Sequence, residues 1–191
     1  TTLFAALLAE GPGGGSFLAP PPMDTPFFGV IWTLLGLFVG SFLNVCIYRF
    51  PEEDLSVFSP ARSHCPKCDR QLTWSENIPV LSWVFQRAKC RGCKAPIHWR
   101  YPLVELLGCA VFFASWRMAP NGSYGVLIVS SVVLAGLIVA TFVDFDRYEI
   151  PDQVSIGGMW AAPVASWLVP ALHASGPVAL AMAADRPVDS V

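Results

Sequence analysis

The sequence predicts an all-α polytopic membrane protein, with four transmembrane helices and a small cytoplasmic loop domain built on four cysteines. Three observations carry this reading. Hydrophobic residues fill 54% of the 191 positions and charged residues only 14%, against about 25% charged in soluble domains, and mean hydropathy is +0.52. Four apolar runs approach the ~20 residues that cross a bilayer. Between the first two runs lies a polar stretch with two Cys-x-x-Cys pairs and nine of the chain's twelve Lys and Arg residues.

Residues 1–26 read as a flexible, non-helical lead-in. The apolar run Leu3 to Ala9 is too short to span and lacks the basic flank of a secretory signal. Gly11-Pro12-Gly13-Gly14-Gly15 and Pro20-Pro21-Pro22 follow it. Residues 27–48 form the first span, 22 positions without a charge. Gly36, Gly40 and Asn44 recur every four residues and share one helix face, and the Gly36-x-x-x-Gly40 pair admits a second helix at close range. The Asn44 amide, near the inner end, needs a partner; packing and chemistry are equally open for it.

Residues 49–101 are the cysteine loop. The second span, residues 102–118, begins with Pro102, a residue suited to a first helical turn. Glu105 is expected in that turn, either favoured there by the helix dipole or facing a cleft as a functional acid at membrane depth. Residues 124–143 give a third span of 20 uncharged positions. Residues 154–172 give a fourth, with Gly157, Ala161 and Ala165 on a small-residue face. Residues 102–172 thus hold spans two to four, and residues 173–191 a periplasmic tail without a further span. No internal repeat is visible.

Orientation follows from the basic residues, which favour the cytoplasmic side. The cysteine loop and the turn at Arg147 together carry ten Lys and Arg, whereas the opposite side carries Arg117 and Arg186. Residues 49–101 and 144–153 therefore face the cytoplasm. A basic cluster beside a membrane is accounted for by topology, so no nucleic-acid partner is expected; the lipid bilayer is.

A cytoplasmic loop is kept reduced, which argues for metal over disulfides at paired cysteines. Cys65, Cys68, Cys90 and Cys93 form two pairs with 21 residues between them, a donor set suited to tetrahedral Zn²⁺ in a closed structural site. A loop with so few apolar groups has little core, so metal would supply much of its folding energy. Free thiols or a redox dithiol are the alternatives, the latter without a βαβ setting. Cys46 and Cys109, inside apolar helices, read as small core residues.

Asp144, Asp146, Glu149 and Asp152 cluster where the third span ends. Asp144, one residue past an uncharged run, is expected to be partly desolvated, as suits one of two carboxylates sharing a proton in an aspartic protease. The acids equally suit a plain helix end, and no second aspartate is obviously placed beside Asp144.

Gly40-Ser41-Phe42-Leu43-Asn44-Val45-Cys46-Ile47-Tyr48-Arg49, the two cysteine pairs, Arg100-Tyr101-Pro102-Leu103-Val104-Glu105 and Asp144 through Asp152 together resemble the bacterial prepilin peptidases of type IV pilus and type II secretion systems. The resemblance covers roughly residues 27–172. It implies a multi-pass inner-membrane endopeptidase that cleaves the basic leader of prepilins and pseudopilins. It also implies methylation of the new N-terminus from S-adenosylmethionine, since the cysteine loop marks the bifunctional members. Asp144 then takes the place of the first catalytic aspartate. The family's second aspartate lies in a Gly-x-Gly-Asp motif that the 191 residues do not contain. With Thr1 in place of an initiator Met, this gives the expectation of a fragment that is inactive alone. A competing reading from another class is a membrane-anchored zinc module that binds pilus or secretion components without catalysis. A transporter is disfavoured, because interrupted spans and inverted repeats are not seen.

Overall fold

Thr25 and Pro26 start the first helix: the Thr25 hydroxyl accepts the Phe28 N–H at 3.3 Å, and proline occupies the first turn. The computed structural model describes residues 22–52, 64–119 and 123–174. Most of the expected N-terminal lead-in (1–21) and nearly all of the expected tail (175–191) lie outside the described residues. The elements are α1 (Pro26–Arg49), a 3-10 turn (Trp74–Asn77), α2 (Leu81–Phe85), α3 (Arg100–Met118), α4 (Tyr124–Arg147), α5 (Asp152–Leu168) and α6 (Ala171–Ala174). The fold is therefore mostly helical, as expected. Two of its helices, α1 and α4, are long and apolar enough to cross a membrane.

Three boundaries move. Helix α3 begins at Arg100 rather than Pro102, so Glu105 sits in the second turn and has no place at the dipole's end. Helix α4 continues four residues beyond Val143, carrying Asp144 and Asp146 on helix rather than loop. It stops at Tyr148, whose left-handed backbone (φ 57°) turns its N–H onto the Asp144 carbonyl at 2.8 Å. The run expected as one span at 154–172 is broken into α5 and α6. Pro163 removes an N–H inside α5, and Pro170 disfavours helical backbone at Val169, which leaves the helical region at φ −125° and ψ 77°.

Helices α1 and α3 make the closest pair, and the period-four glycines are the reason. A Cβ at Gly36 would lie 2.6 Å from the Gly108 carbonyl oxygen, and one at Gly40 would lie 2.7 Å from the Glu105 Cα. Gly108 answers from α3, where a Cβ would meet the Gly36 carbonyl at 2.5 Å. Beyond this seam, Trp116 packs against Gly29 and donates to the Met23 carbonyl at 2.6 Å. Helix α4 completes the core with Ala135, Ile138, Val139 and Val143 against Leu43, Cys46, Ile47 and Val104. The rest of the bundle is apolar on the outside. Val30, Ile31, Leu34 and Phe38 on α1 and Val132, Val133 and Leu137 on α4 are exposed. Only 28% and 33% of the most apolar stretches of α1 and α4 are buried. A patch of that extent is a liability in water and a requirement in lipid.

Gly108→Ala is expected to loosen the α1–α3 seam by about 1–3 kcal/mol, because backbone cannot move aside for the added methyl. Gly158→Ala, where nothing lies within 4 Å, is expected to be neutral or slightly stabilising. Thermal unfolding in detergent checks both; equal melting of the two variants would refute the seam.

Candidate metal centre and its ties to the helices

Each Cys-x-x-Cys pair folds as a knuckle, and the two knuckles have the same hydrogen bonds. Cys65 N–H donates to the Arg70 carbonyl at 3.0 Å and Cys90 N–H to the Ala95 carbonyl at 2.9 Å. Four residues after each first cysteine, Asp69 and Lys94 return an N–H to the Cys65 and Cys90 carbonyls at 2.9 and 3.0 Å. Both returning residues have positive φ, 51° and 62°. Flanking bridges, His64 with Gln71 and Lys89 with Pro96, sit at matching positions. The loop thus contains a structural repeat that the sequence hides, because beyond the cysteines the two segments share almost no side chains.

The knuckles bring the four expected sulfurs together. All four Sγ atoms lie within 4.8 Å of one another, and Cys65 and Cys93 are 3.8 Å apart. A tetrahedral Zn²⁺ with bonds near 2.3 Å spaces its sulfurs by about 3.8 Å, so the group fits a thiophilic metal and could hold one. Cys65 and Cys90 are buried, Cys68 and Cys93 exposed. Backbone N–H groups of Cys93 and Gly92 aimed at the Cys90 sulfur lower that thiol to about 6; at Cys68 the Arg70 N–H acts the same way, but desolvation and the three neighbouring sulfurs raise the thiol to about 11. Cys46 is buried in the helical core as expected, and Cys109 is half-buried.

Sequence reasoning missed Glu76, which braces both knuckles. Its side chain is only 1% exposed and forms an ion pair with Arg70, with Arg91 Nε 3.8 Å away. Thr73 N–H and Oγ1 both donate to its Oε2 at 2.9 Å. The signal was present as Thr73-x-x-Glu76, the pattern of a reciprocal cap. The Thr73 backbone N–H, and then the Arg70 guanidinium, hold the Glu76 carboxyl down to about 2 against the effect of burial. A depressed folded pKa means that this stabilisation is present above the ordinary value of 4.5 and is lost as pH falls towards 2. Glu76→Gln should be less stable than wild type at pH 7, and the gap should narrow as pH falls from 4.5 and close near about 2. Urea unfolding of both proteins across pH checks this; a gap independent of pH would rule out the carboxylate as its source.

The loop is tied to the helices at four points. Glu105 Oε2 accepts the Val80 N–H at 2.6 Å. Val80 has φ 60° and the Leu81 N–H reaches back to the Pro79 carbonyl at 2.6 Å. This is a tight γ-turn that is strained for a β-branched residue. Glu105 therefore faces a partner in the cysteine loop. Asn44 donates to the Tyr101 carbonyl at 3.1 Å, fastening α1 to the start of α3. At the loop's two ends, Arg147 pairs with Glu52, and Arg100 grips both Asp146 oxygens at 2.8 and 2.7 Å and the Phe142 carbonyl at 3.1 Å.

These ties sort the acidic cluster. Asp146 is engaged with Arg100, whereas the Asp144 side chain is exposed and hydrogen-bonds to no described residue. The expected desolvation of Asp144 is not supplied by the described residues. The buried stripe of α4 runs Leu127, Ser131, Ala135, Ile138, Val139, Val143, and the next residue points about 100° away from it. No second described aspartate is brought to Asp144 by a hydrogen bond.

Residues 34–118, which include both knuckles and Glu105, match the family model described as the bacterial Peptidase A24 N-terminal domain; Asp144 lies outside them. The chain is 47% identical over 137 residues to the prepilin leader peptidase/N-methyltransferase of Myxococcus xanthus, covering 71% of this chain and 39% of that protein. It is 38% identical over 158 residues to the protein of the same name from Aeromonas hydrophila, covering 70% and 53%. The type 4 prepilin-like proteins leader peptide-processing enzyme of Escherichia coli is 35% identical over 155 residues, covering 72% and 56%. The chain thus spans about half the length, or less, of these relatives. No solved structure matches it. With the four-cysteine knuckle domain inside the matched residues, the chain carries a match to the bacterial Peptidase A24 N-terminal domain over residues 34–118 and is similar over most of its own length to proteins named prepilin leader peptidase/N-methyltransferase.

Proposed function

We propose that this chain serves a membrane aspartic endopeptidase that removes the leader of type IV prepilins and pseudopilins and methylates the exposed N-terminus. The observation that carries the reading is the paired knuckle, inside residues that match the Peptidase A24 domain, in a chain whose relatives are named for both activities. Helices α1, α3, α4 and α5 cross the bacterial inner membrane, with residues 49–101 and 144–153 in the cytoplasm. Ten basic residues against two support that orientation.

Asp144 is the catalytic carboxylate. What supports it is its place in the last turn of an apolar helix, unpaired with any described residue, while Asp146 and Arg147 are held in ion pairs. In such a dyad one carboxylate takes a proton from the attacking water and the other, protonated, assists the carbonyl. The partner aspartate is the one in the Gly-x-Gly-Asp motif of the family, which the 191 residues do not contain. Cys65, Cys68, Cys90 and Cys93 hold zinc in a closed site that leaves no position for substrate, so its work is to fold the loop. S-adenosylmethionine supplies the methyl group when bound.

The reading is tested by joining this chain to the part of the Myxococcus xanthus relative that it does not match, and supplying a prepilin to membranes containing the product. Mass spectrometry should show leader loss and a methylated N-terminus. An intact leader, with the protein inserted in the membrane, would overturn the peptidase assignment.

A further inference from the structure

The cysteine loop is joined to the helices in a way that returns part of it to the membrane surface. Val80 is hydrogen-bonded to Glu105, five residues into α3 from Arg100, or about 7.5 Å along its axis. Helix α2 therefore starts level with the second turn of a membrane helix, not out in the cytosol. Trp83 Nε1 then donates to the Ile97 carbonyl at 3.2 Å, holding α2 against the chain that leads into α3. Leu81, Val84 and Phe85 stand at i, i+3 and i+4, on one face of α2, and all three are exposed, Phe85 by 76%.

Beside that face lies a recess of about 410 Å³ whose lining includes Phe85, Arg87, Lys89, Arg91 and Lys94. Arg91 is 3.8 Å from Glu76. Arg87, Lys89 and Lys94 pair with no acid among the described residues. Residues 64–100 carry seven Lys and Arg against Asp69 and Glu76, so a four-thiolate zinc site of net charge −2 still leaves the segment positive. Apolar side chains at interfacial depth next to uncommitted cations complement an anionic leaflet, which attracts each Lys or Arg near its surface.

We propose that the loop binds an anionic phospholipid, its phosphate in the recess of Arg87, Lys89, Arg91 and Lys94, and Leu81, Val84 and Phe85 seated among the headgroups. This rests on the membrane placement of α1, α3 and α4 given above. The test uses the full chain in nanodiscs of phosphatidylcholine alone, of phosphatidylcholine with roughly 30% phosphatidylglycerol, and of phosphatidylcholine with added inorganic phosphate. Hydrogen exchange of residues 81–94 should slow about tenfold or more with phosphatidylglycerol only. Arg87→Glu with Lys94→Glu, at unchanged zinc content, should abolish that difference. If the double variant loses its metal, the wild type decides, because the protection should fade in about 0.5 M salt. Equal exchange in the neutral and anionic discs, or equal protection by inorganic phosphate, would overturn the lipid site. A chain that fails to enter nanodiscs of any kind would instead refute the membrane placement.

Discussion

Asp144→Asn, made in the chain joined to the remainder of its Myxococcus xanthus relative, is expected to lower prepilin leader cleavage roughly 10⁴-fold or more, the scale seen when one member of a unit-acting catalytic group is lost. The substitution keeps the size of the side chain and removes the carboxylate that would share the catalytic proton. It should also leave the fold unchanged, because this side chain is exposed and bonds to no described residue. The neighbouring acids should behave differently. Asp146→Asn weakens a part-exposed ion pair with Arg100, so a stability loss of about 0.5–1 kcal/mol and a modest fall in rate are expected. Asp152→Asn, at the first turn of α5, should cost a few tenths of a kcal/mol at most, through the helix dipole. Methyl transfer to a pilin already cleaved should survive Asp144→Asn, since amine methylation needs no water-activating pair. Cleavage by the Asp144→Asn protein at near the wild-type rate would remove this residue from the mechanism.

The purified protein should contain about one zinc per chain, and Cys90→Ser should reduce that towards none with loss of the loop's fold. Zinc binding in such sites is worth on the order of 10 kcal/mol, and in this loop little else replaces it. Among the described loop residues, few apolar side chains are buried, while Trp74, Leu81, Val84 and Phe85 are exposed. Cys68→Ser, at an exposed ligand, should weaken the site by the same chemistry. The damage should not stay local. Glu105 with Val80, Arg100 with Asp146, and Arg147 with Glu52 join the loop to α3 and α4, so leader cleavage should fall as well as metal content. Metal analysis with thiol trapping checks the prediction. Disulfides in trapped protein would overturn the zinc site and, with it, the cytoplasmic placement of the loop.

Much of this protein is written locally. The apolar runs announced α1 and α4, because the preference of a residue for lipid or water does not depend on its distant neighbours. The period-four spacing of Gly36, Gly40 and Asn44 announced a close helix contact, since it follows from the 3.6-residue turn alone. The two Cys-x-x-Cys pairs announced a cluster of four thiols that could hold a metal, since their spacing is that of a tetrahedral donor set. Some misses were legible too: Pro170 marks the break between α5 and α6, and Thr73-x-x-Glu76 marks a cap.

Other features required the chain to be folded. Which glycine faces Gly36, that Glu105 answers Val80, that Arg100 takes Asp146 and leaves Asp144 unpaired by any described residue, and that Arg147 reaches Glu52 are all contacts between distant positions. The two partners of the last pair stand 95 residues apart. A charge in a sequence states only that it needs a partner or solvent; helix packing decides which it receives. The sequence by itself therefore determined the solvent each segment prefers, the helix faces and the four cysteines that could hold a metal. The tertiary structure alone decided the pairing of the charges, because a carboxylate's partner is set by distances of a few ångströms that no local pattern records.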